Sequence, residues 1–269
     1  MKAVGRQVSN EAGTALASIR RGPGHWLSSY LAMLRFDIAS QRTWLPMFVL
    51  TQVMFGTGMA IIYGFYLGPS MSPRAALFIV SGAPALAVIT AACIGVTSMV
   101  TERKAAGTWD FIWSLPAPRS AAVASTFTVY TAMTIPGIVV TLALATWRYG
   151  LHLSVSPMAV PAFVLASLMA TSMGFGMAVA IKNPLVTNVI VNALIFVVLL
   201  FSPVVFPITQ LPGWLAGLHR VLPIYHLAQI LRASVTTGLV HDVAASYAVL
   251  TAWTAAAWAV AAWTIGRRR

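Results

Sequence analysis

Residues 101–120 read TERKAAGTWDFIWSLPAPRS and gather Glu102, Arg103, Lys104, Asp110 and Arg119 into one short polar stretch. On either side the charge vanishes: residues 75–101 and 120–147 contain no Asp, Glu, Lys or Arg. Each of these runs exceeds the roughly 20 residues that a helix needs to cross a hydrocarbon layer. A polar segment between two such runs reads as the surface connection between two membrane helices.

The pattern repeats along the chain. Residues 43–73, 149–181, 183–219 and 243–266 are also free of charge, which brings the apolar runs to six. Of the 269 residues 59% are hydrophobic and 8% charged, where a soluble domain carries about 25% charged residues; the mean hydropathy is +0.82. The runs lack the strict alternation of an outer-membrane barrel, and backbone groups in lipid must be satisfied within their own segment, which leaves helices. The expected fold class is an all-α integral membrane protein with six transmembrane helices.

The net charge of +12 raises the question of nucleic acid, but its distribution answers otherwise. With the N-terminus inside, 13 Lys and Arg fall on inner segments, and only Arg74, Arg148, Arg220 and Arg232 fall on outer ones. That asymmetry follows the positive-inside rule. It predicts both termini in the cytoplasm, places residues 101–120 on the cytoplasmic side, and argues against a nucleic-acid partner. The single cysteine, Cys93, reads as a small packing residue. The first apolar run begins too late and runs too long for a secretory signal.

Ahead of the first span, Leu27, Tyr30, Leu31, Leu34 and Ile38 recur at helical spacing, with Ser28, Arg35, Asp37, Gln41 and Arg42 largely on other faces. The expected organisation is a cytoplasmic tail over residues 1–25, an amphipathic helix over 26–42 lying in the membrane surface, and a six-helix transmembrane domain over 43–269. The alternative for 26–42, a helix packed on a cytoplasmic subdomain, lacks enough large apolar residues upstream to form a core.

Within residues 101–120, Glu102, Arg103 and Lys104 fix the end of the second span at the water, because a charge at mid-bilayer costs roughly 2.5 to 3.5 kcal/mol. Past Gly107, the residues Trp109, Ile112 and Trp113 stand on one face of a short helix that Pro116 and Pro118 terminate, with Ser120 positioned to cap the next span. Two readings stay open on physics alone: a rigid cytoplasmic helix with a docking face, or an ordinary loop whose indoles anchor among headgroups.

This segment resembles the one between the second and third spans of type 2 ABC exporter permeases, with Glu102, Gly107, Thr108, Leu115 and Pro116 at the matching positions. A second stretch, FSPVVFPITQLPGWLAGLHRVLPIYHLAQILR at residues 201–232, is similar to the family's segment after the fifth span, with Pro207, Leu211, Pro212, Trp214, Pro223, His226 and Arg232 in order. The resemblance implies that this second stretch folds back as re-entrant helices on the outer side. It also implies that the segment holding Glu102, Arg103, Gly107, Thr108, Trp109, Ile112, Trp113, Leu115 and Pro116 is a coupling helix that docks on an ATPase.

Further implications concern partners. None of Lys2, Lys104 and Lys182 follows a glycine, so the sequence has no Walker A motif. The resemblance therefore implies a separate ABC ATPase that carries ATP and Mg, with no cofactor on this chain. It also implies a second permease copy or a sister permease, and a multi-pass location in a bacterial cytoplasmic membrane. The pattern Gly64 to Gly68 offers a small-xxx-small contact, read first as packing between helices of one subunit.

No charge lies inside any run, which argues against a proton-coupled carrier and favours an apolar or amphipathic substrate: a drug or lipid by first preference, a polysaccharide or lipid-linked glycan by second. Gln52, Tyr63, Tyr130 and Asn192 are candidate polar contacts along its path, and for each the first reading is a packing or interhelical hydrogen-bonding residue. A polytopic membrane protein outside the ABC group is the remaining alternative. His219, His226 and Asp242 do not share a helical ligand spacing, and no nucleophile–base constellation is evident, so neither a metal site nor a catalytic residue is expected.

Overall fold

The computed structural model describes residues 23–67, 72–240 and 243–266. It is helical, with no strand among the described residues. The tail upstream of Pro23, His241, Asp242, Gly68 and the arginines after Gly266 lie outside those residues, as does the side chain of Tyr63.

Helix α1 spans Pro23–Gln41, α2 Leu45–Leu67, and α3 Pro73–Ala105. The short α4 covers Thr108–Ser114, α5 Arg119–Tyr149, α6 Ala159–Ala180 and α7 Pro184–Phe201. A single 3-10 turn, Ile208–Gln210, leads to α8, Gly213–His219, α9, Pro223–Val235, and α10, Val243–Gly266. Five of these, α3, α5, α6, α7 and α10, are long and apolar enough to cross a membrane. The first apolar run carries α2, of 23 residues, whose Leu45–Gly58 portion is an apolar helix below spanning length.

Local chemistry sets the boundaries. Ser72 accepts a hydrogen bond from the Ala75 amide at 3.2 Å while Pro73 opens α3, and Asn183 accepts from the Leu185 amide at 2.9 Å ahead of Pro184. Both are side-chain N-caps followed by proline in the first turn, where its missing N–H costs nothing. Ser120 does not cap α5. That helix starts on Pro118 without a side-chain cap, and the Ser120 hydroxyl instead accepts from the Trp26 indole at 3.0 Å.

Helix α3 runs through the middle of the bundle and packs against α2, α5, α6, α7 and α9. Its helical ladder is interrupted twice: Pro84 lies inside it, and Ile89–Gly95 is wound as a π-helix. Proline cannot donate to the carbonyl four residues back, and π-turns leave carbonyls less tightly held. The Thr97 hydroxyl takes up this slack, 2.6 Å from the Cys93 carbonyl and 3.0 Å from that of Gly174 on α6. There the two backbones nearly touch, since a Cβ on Gly174 would sit 2.2 Å from the Cys93 oxygen. A Cβ on Gly176, two residues along, would meet only the Ala257 carbonyl at 3.6 Å.

The two glycines therefore respond differently to one added methyl. Gly174→Ala is expected to lower thermal stability by about 1 to 3 kcal/mol, the usual cost of overpacking, whereas Gly176→Ala stays near wild type. Thermal melting of the detergent-solubilised chain followed by size-exclusion chromatography checks this, and equal melting of the two variants would refute the close packing.

Candidate functional site

Charged side chains converge at one end of the bundle. Asp37 on α1, 4% exposed, forms an ion pair with Arg103 at the end of α3, Nη2 to Oδ1 2.7 Å. Its other oxygen accepts from the Ser125 hydroxyl at 2.7 Å and from Thr126 at 3.3 Å, both on α5. One carboxylate thus joins three helices. Around it, His25 donates to the Pro116 carbonyl at 3.2 Å, Trp26 to Ser120, and the Tyr30 hydroxyl to Thr128 at 2.9 Å. The inward line of α1 is Trp26, Tyr30, Met33 and Asp37, while Leu27, Leu31 and Ile38 remain exposed as an apolar stripe.

Two expectations about α1 change accordingly. Tyr30 faces the bundle rather than joining the outward apolar stripe, and Asp37 is buried rather than solvated. The pattern of apolar residues hides this because a buried acid paired to an arginine 66 residues away looks, in sequence, like any polar-face residue.

Helix α4 follows α3 after Gly107, which adopts a left-handed φ of 72°, a conformation available to glycine at little cost. Trp109 is only 7% exposed. Its indole packs at 5.2 Å from Trp113 and 6.1 Å from Phe175 of α6, in an apolar cluster with Val96, Met99, Val100 and Phe127. Lys104 reaches the carbonyls of Ala178 and Ile181, and Arg119 lies over the Trp113 ring at 5.5 Å. Trp109, Trp113 and Ile112 therefore hold the short helix to the chain's own spans. The outward side carries Asp110, Phe111 and Ser114, with Phe111 60% exposed. Leu115 is half-buried and Pro116 exposed beyond the helix, whereas Thr108 is half-buried at its start.

Between α1, α2, α3 and α5 lies an open cavity of about 460 Å³. Phe36, Trp44, Phe48 and Tyr130 supply rings to its wall, the π-turn supplies Thr90, Ala91, Ile94 and Gly95, and Glu102, Arg103 and Thr108 stand at the charged end. From Glu102 to Thr90 along α3 is about 18 Å at 1.5 Å per residue, more than half of a ~30 Å hydrocarbon layer. Gln52 reaches in from α2, 1% exposed. Its Nε2 donates to the Met133 carbonyl at 3.1 Å, in the turn of α5 that Pro136 loosens. Gly137 makes room for it, since a Cβ there would stand 1.9 Å from the Gln52 oxygen. Of the polar residues chosen along the apolar runs, Gln52 and Tyr130 thus meet in one cavity. Asn192 does not: it is exposed on α7 and bonds the Asn188 carbonyl at 2.8 Å.

The opposite end is closed by α9. Arg232, fully buried, sits 3.5 Å from the Phe78 ring centroid and donates to the Val204 carbonyl at 2.6 Å and to Ser81 at 3.3 Å. Gly82 lets this crossing form, because a Cβ on it would fall 2.2 Å from the Val204 oxygen. His226 Nε2 donates to the Arg220 carbonyl at 2.7 Å, which leaves Nδ1 to accept from the Ser246 hydroxyl at 3.0 Å. Both ring nitrogens are thereby engaged. Pro223 is buried beside them, Leu211 is half-buried, and Pro207, Pro212 and Trp214 face outward. Among the described residues no cluster of three His, Cys, Asp or Glu side chains suits a metal ion.

A bundle of membrane-length helices with a cavity reaching in from one charged end defines a polytopic membrane protein of the permease class. The family model of the ABC-2 type transporter matches residues 29–236, well over half of the 269 residues, and the chain belongs to that family. It is the membrane-spanning component of an ATP-binding-cassette transporter, and the family as a whole works with an ABC ATPase. No curated protein matches the chain.

The buried ion pair gives a sharp test. Asp37→Asn leaves Arg103 without its anion, a change expected to cost about 3 to 5 kcal/mol and to speed hydrogen exchange across residues 23–41. The double variant Asp37→Leu with Arg103→Met should restore most of the protection, since removing both charges leaves neither unpaired. Equal protection in wild type and Asp37→Asn would show that the pair does not hold α1.

Proposed function

We propose that this chain is the transmembrane subunit of an ATP-driven exporter in a bacterial cytoplasmic membrane, moving a hydrophobic or amphipathic drug-like or lipid compound outward with a separate ATPase. One observation carries the reading: α3, which lines the cavity from Thr90 to Arg103, leads through Gly107 directly into α4. A displacement of α4 by a docked ATPase reaches the cavity wall through a single helix. The cavity opens at the charged end, which the positive-inside bias assigns to the cytoplasm, so its substrate is taken from the inner side. Its walls suit an amphiphile, since the rings of Phe36, Trp44, Phe48 and Tyr130 stand beside polar groups such as Ser40, Thr51, Thr90 and Glu102. Six spans, with α2 as the first, keep both termini cytoplasmic.

Docking in this reading falls on the outward side of α4. Phe111 is the exposed aromatic there, flanked by Asp110 and Ser114, and aromatic anchors dominate interface energetics. Trp109 and Trp113 give α4 its rigidity from behind. ATP drives transport by binding one state of the paired permeases and ATPases better than the other. The membrane domain works as a pair, either with a second copy or with a sister permease, and contributes no catalytic group of its own.

Purification of the chain from its native membrane in mild detergent, with mass spectrometry, should recover a P-loop ATPase in comparable amount. Phe111→Ala is expected to lower that recovery about tenfold, in line with an aromatic anchor, with the chain itself still monodisperse. Trp109→Ala should act differently, by destabilising the chain. No ATPase in the wild-type preparation would overturn the exporter reading, and full recovery with Phe111→Ala would overturn this docking face.

A further inference from the structure

We propose that the cavity between α1, α2, α3 and α5 binds an organic cation with an apolar body, its charged group at Glu102. The inference rests on the reading of this cavity as the substrate site and adds the sign of the ligand's charge.

Three hydroxyls of the lining have their donors engaged within their own helices, while Gln41, Ser98, Thr108 and Tyr130 also line the space. The hydroxyls of Ser40, Thr51 and Thr90 donate to the carbonyls of Phe36, Met47 and Leu86 at 2.8, 2.9 and 2.9 Å. Gln52 spends its amide N–H on Met133, and its oxygen, buried, has no hydrogen-bond partner among the described residues. What the hydroxyls of Ser40, Thr51 and Thr90 retain is therefore acceptor capacity, while the Gln52 oxygen is packed against Gly137. Charge points the same way. Arg103 is the only cation in the lining, and Asp37 already neutralises it. Glu102 lines the same space, is exposed at its mouth, and has no ion pair among the described residues.

The apolar part of the ligand has a defined place. Phe48 lies over Gly95 so closely that a Cβ there would be 2.5 Å from the ring, and it meets Tyr130 edge-on at 6.0 Å. Trp44, largely exposed at the start of α2, adds an indole to the same wall, and aromatic faces attract cations. The volume of about 460 Å³ falls within the range of about 300 to 1,000 Å³ usual for drug-sized ligands. An anion of the same size would meet the Glu102 carboxylate, with the one cation of the lining, Arg103, already paired to Asp37.

Equilibrium binding to the full-length chain in lipid nanodiscs tests this with two ions of matched size and opposite charge, tetraphenylphosphonium and tetraphenylborate. Saturable tetraphenylphosphonium binding that tetraphenylborate does not displace is expected. Glu102→Gln should weaken it about tenfold, with Glu102→Asp largely restoring it. Ser98→Phe, which fills the cavity from α3, should remove it. Unchanged affinity in Glu102→Gln and Ser98→Phe, or equal displacement by tetraphenylborate, would overturn the proposal. The two readings separate cleanly. Charge-selective binding without ATP-driven transport would sink the exporter and leave the site. ATP-driven export with charge-blind binding would do the reverse.

Discussion

The contact on which the bundle depends is the near-touch of two backbones, Gly174 of α6 against the Cys93 carbonyl of α3. In hydrocarbon there is no gain from hiding apolar surface between helices, so association relies on close van der Waals packing and on hydrogen bonds that cross the interface. A glycine supplies the first, and Thr97, shared between the Cys93 and Gly174 carbonyls, supplies the second. The bond that crosses the interface is the one from Thr97 to the Gly174 carbonyl. Once α6 is fixed there, Phe175 next to Gly174 is delivered to Trp109 and Phe127, and α4 acquires the wall it leans on.

From that contact toward the charged end, polar groups take over from small residues. Lys104 reaches across to carbonyls at the end of α6, and Arg103 turns the opposite way to Asp37 on α1. Successive residues of one helix end thus secure two different neighbours. Desolvating a carboxylate and a guanidinium is expensive, and a pair of this kind adds little net stability over an apolar contact. Its value lies in specification: the hydroxyls of Ser125 and Thr126 and the guanidinium accept only one placement of Asp37, which fixes the rotation of α1 about its axis. That rotation in turn exposes Leu27, Leu31 and Ile38 together, as an amphipathic helix on a membrane surface requires.

Five of the six expected spans were legible as membrane-length apolar helices, because they follow from the cost of charge in lipid, which acts residue by residue. The break after α7 was legible for a similar reason, since prolines punctuate Phe201 to Pro223 wherever their neighbours happen to be. The orientation of α4 was not. Trp109, Ile112 and Trp113 share a face in sequence, but periodicity gives a face without saying what covers it, and the nearest aromatic, Phe175, is far off along the chain. The same limit hid Asp37. For Gln52 and Tyr130 the polarity of a membrane-depth side chain was the signal, and it found the cavity; for Asn192 the identical signal marks a side chain that bonds its own helix at Asn188. Polarity alone does not separate a residue facing a space from one satisfied by its own backbone.

Under the proposed coupling, α3 would have to meet two demands that pull against each other: to be stiff enough to pass a displacement from α4 inward, and soft enough for the cavity wall to change. The structure divides them along its length. From Val96 to Ala105 the helix is regular α, buried against α6 and held at its end by Arg103 and Lys104, so motion at Gly107 is not dissipated there. Above it the π-turn begins, and this is the part that borders Phe48 and Gln52. A seven-residue π segment loses its extra residue by rewinding as α-helix, which rotates everything on one side of it by roughly 100°, the angle per residue of an α-helix. Rotation there would carry Thr90, Ala91 and Ile94 away from the cavity while Cys93 lost its register with Gly174. The cavity wall and the close α3–α6 contact therefore share one turn, so rewinding it would change the cavity and loosen that contact together.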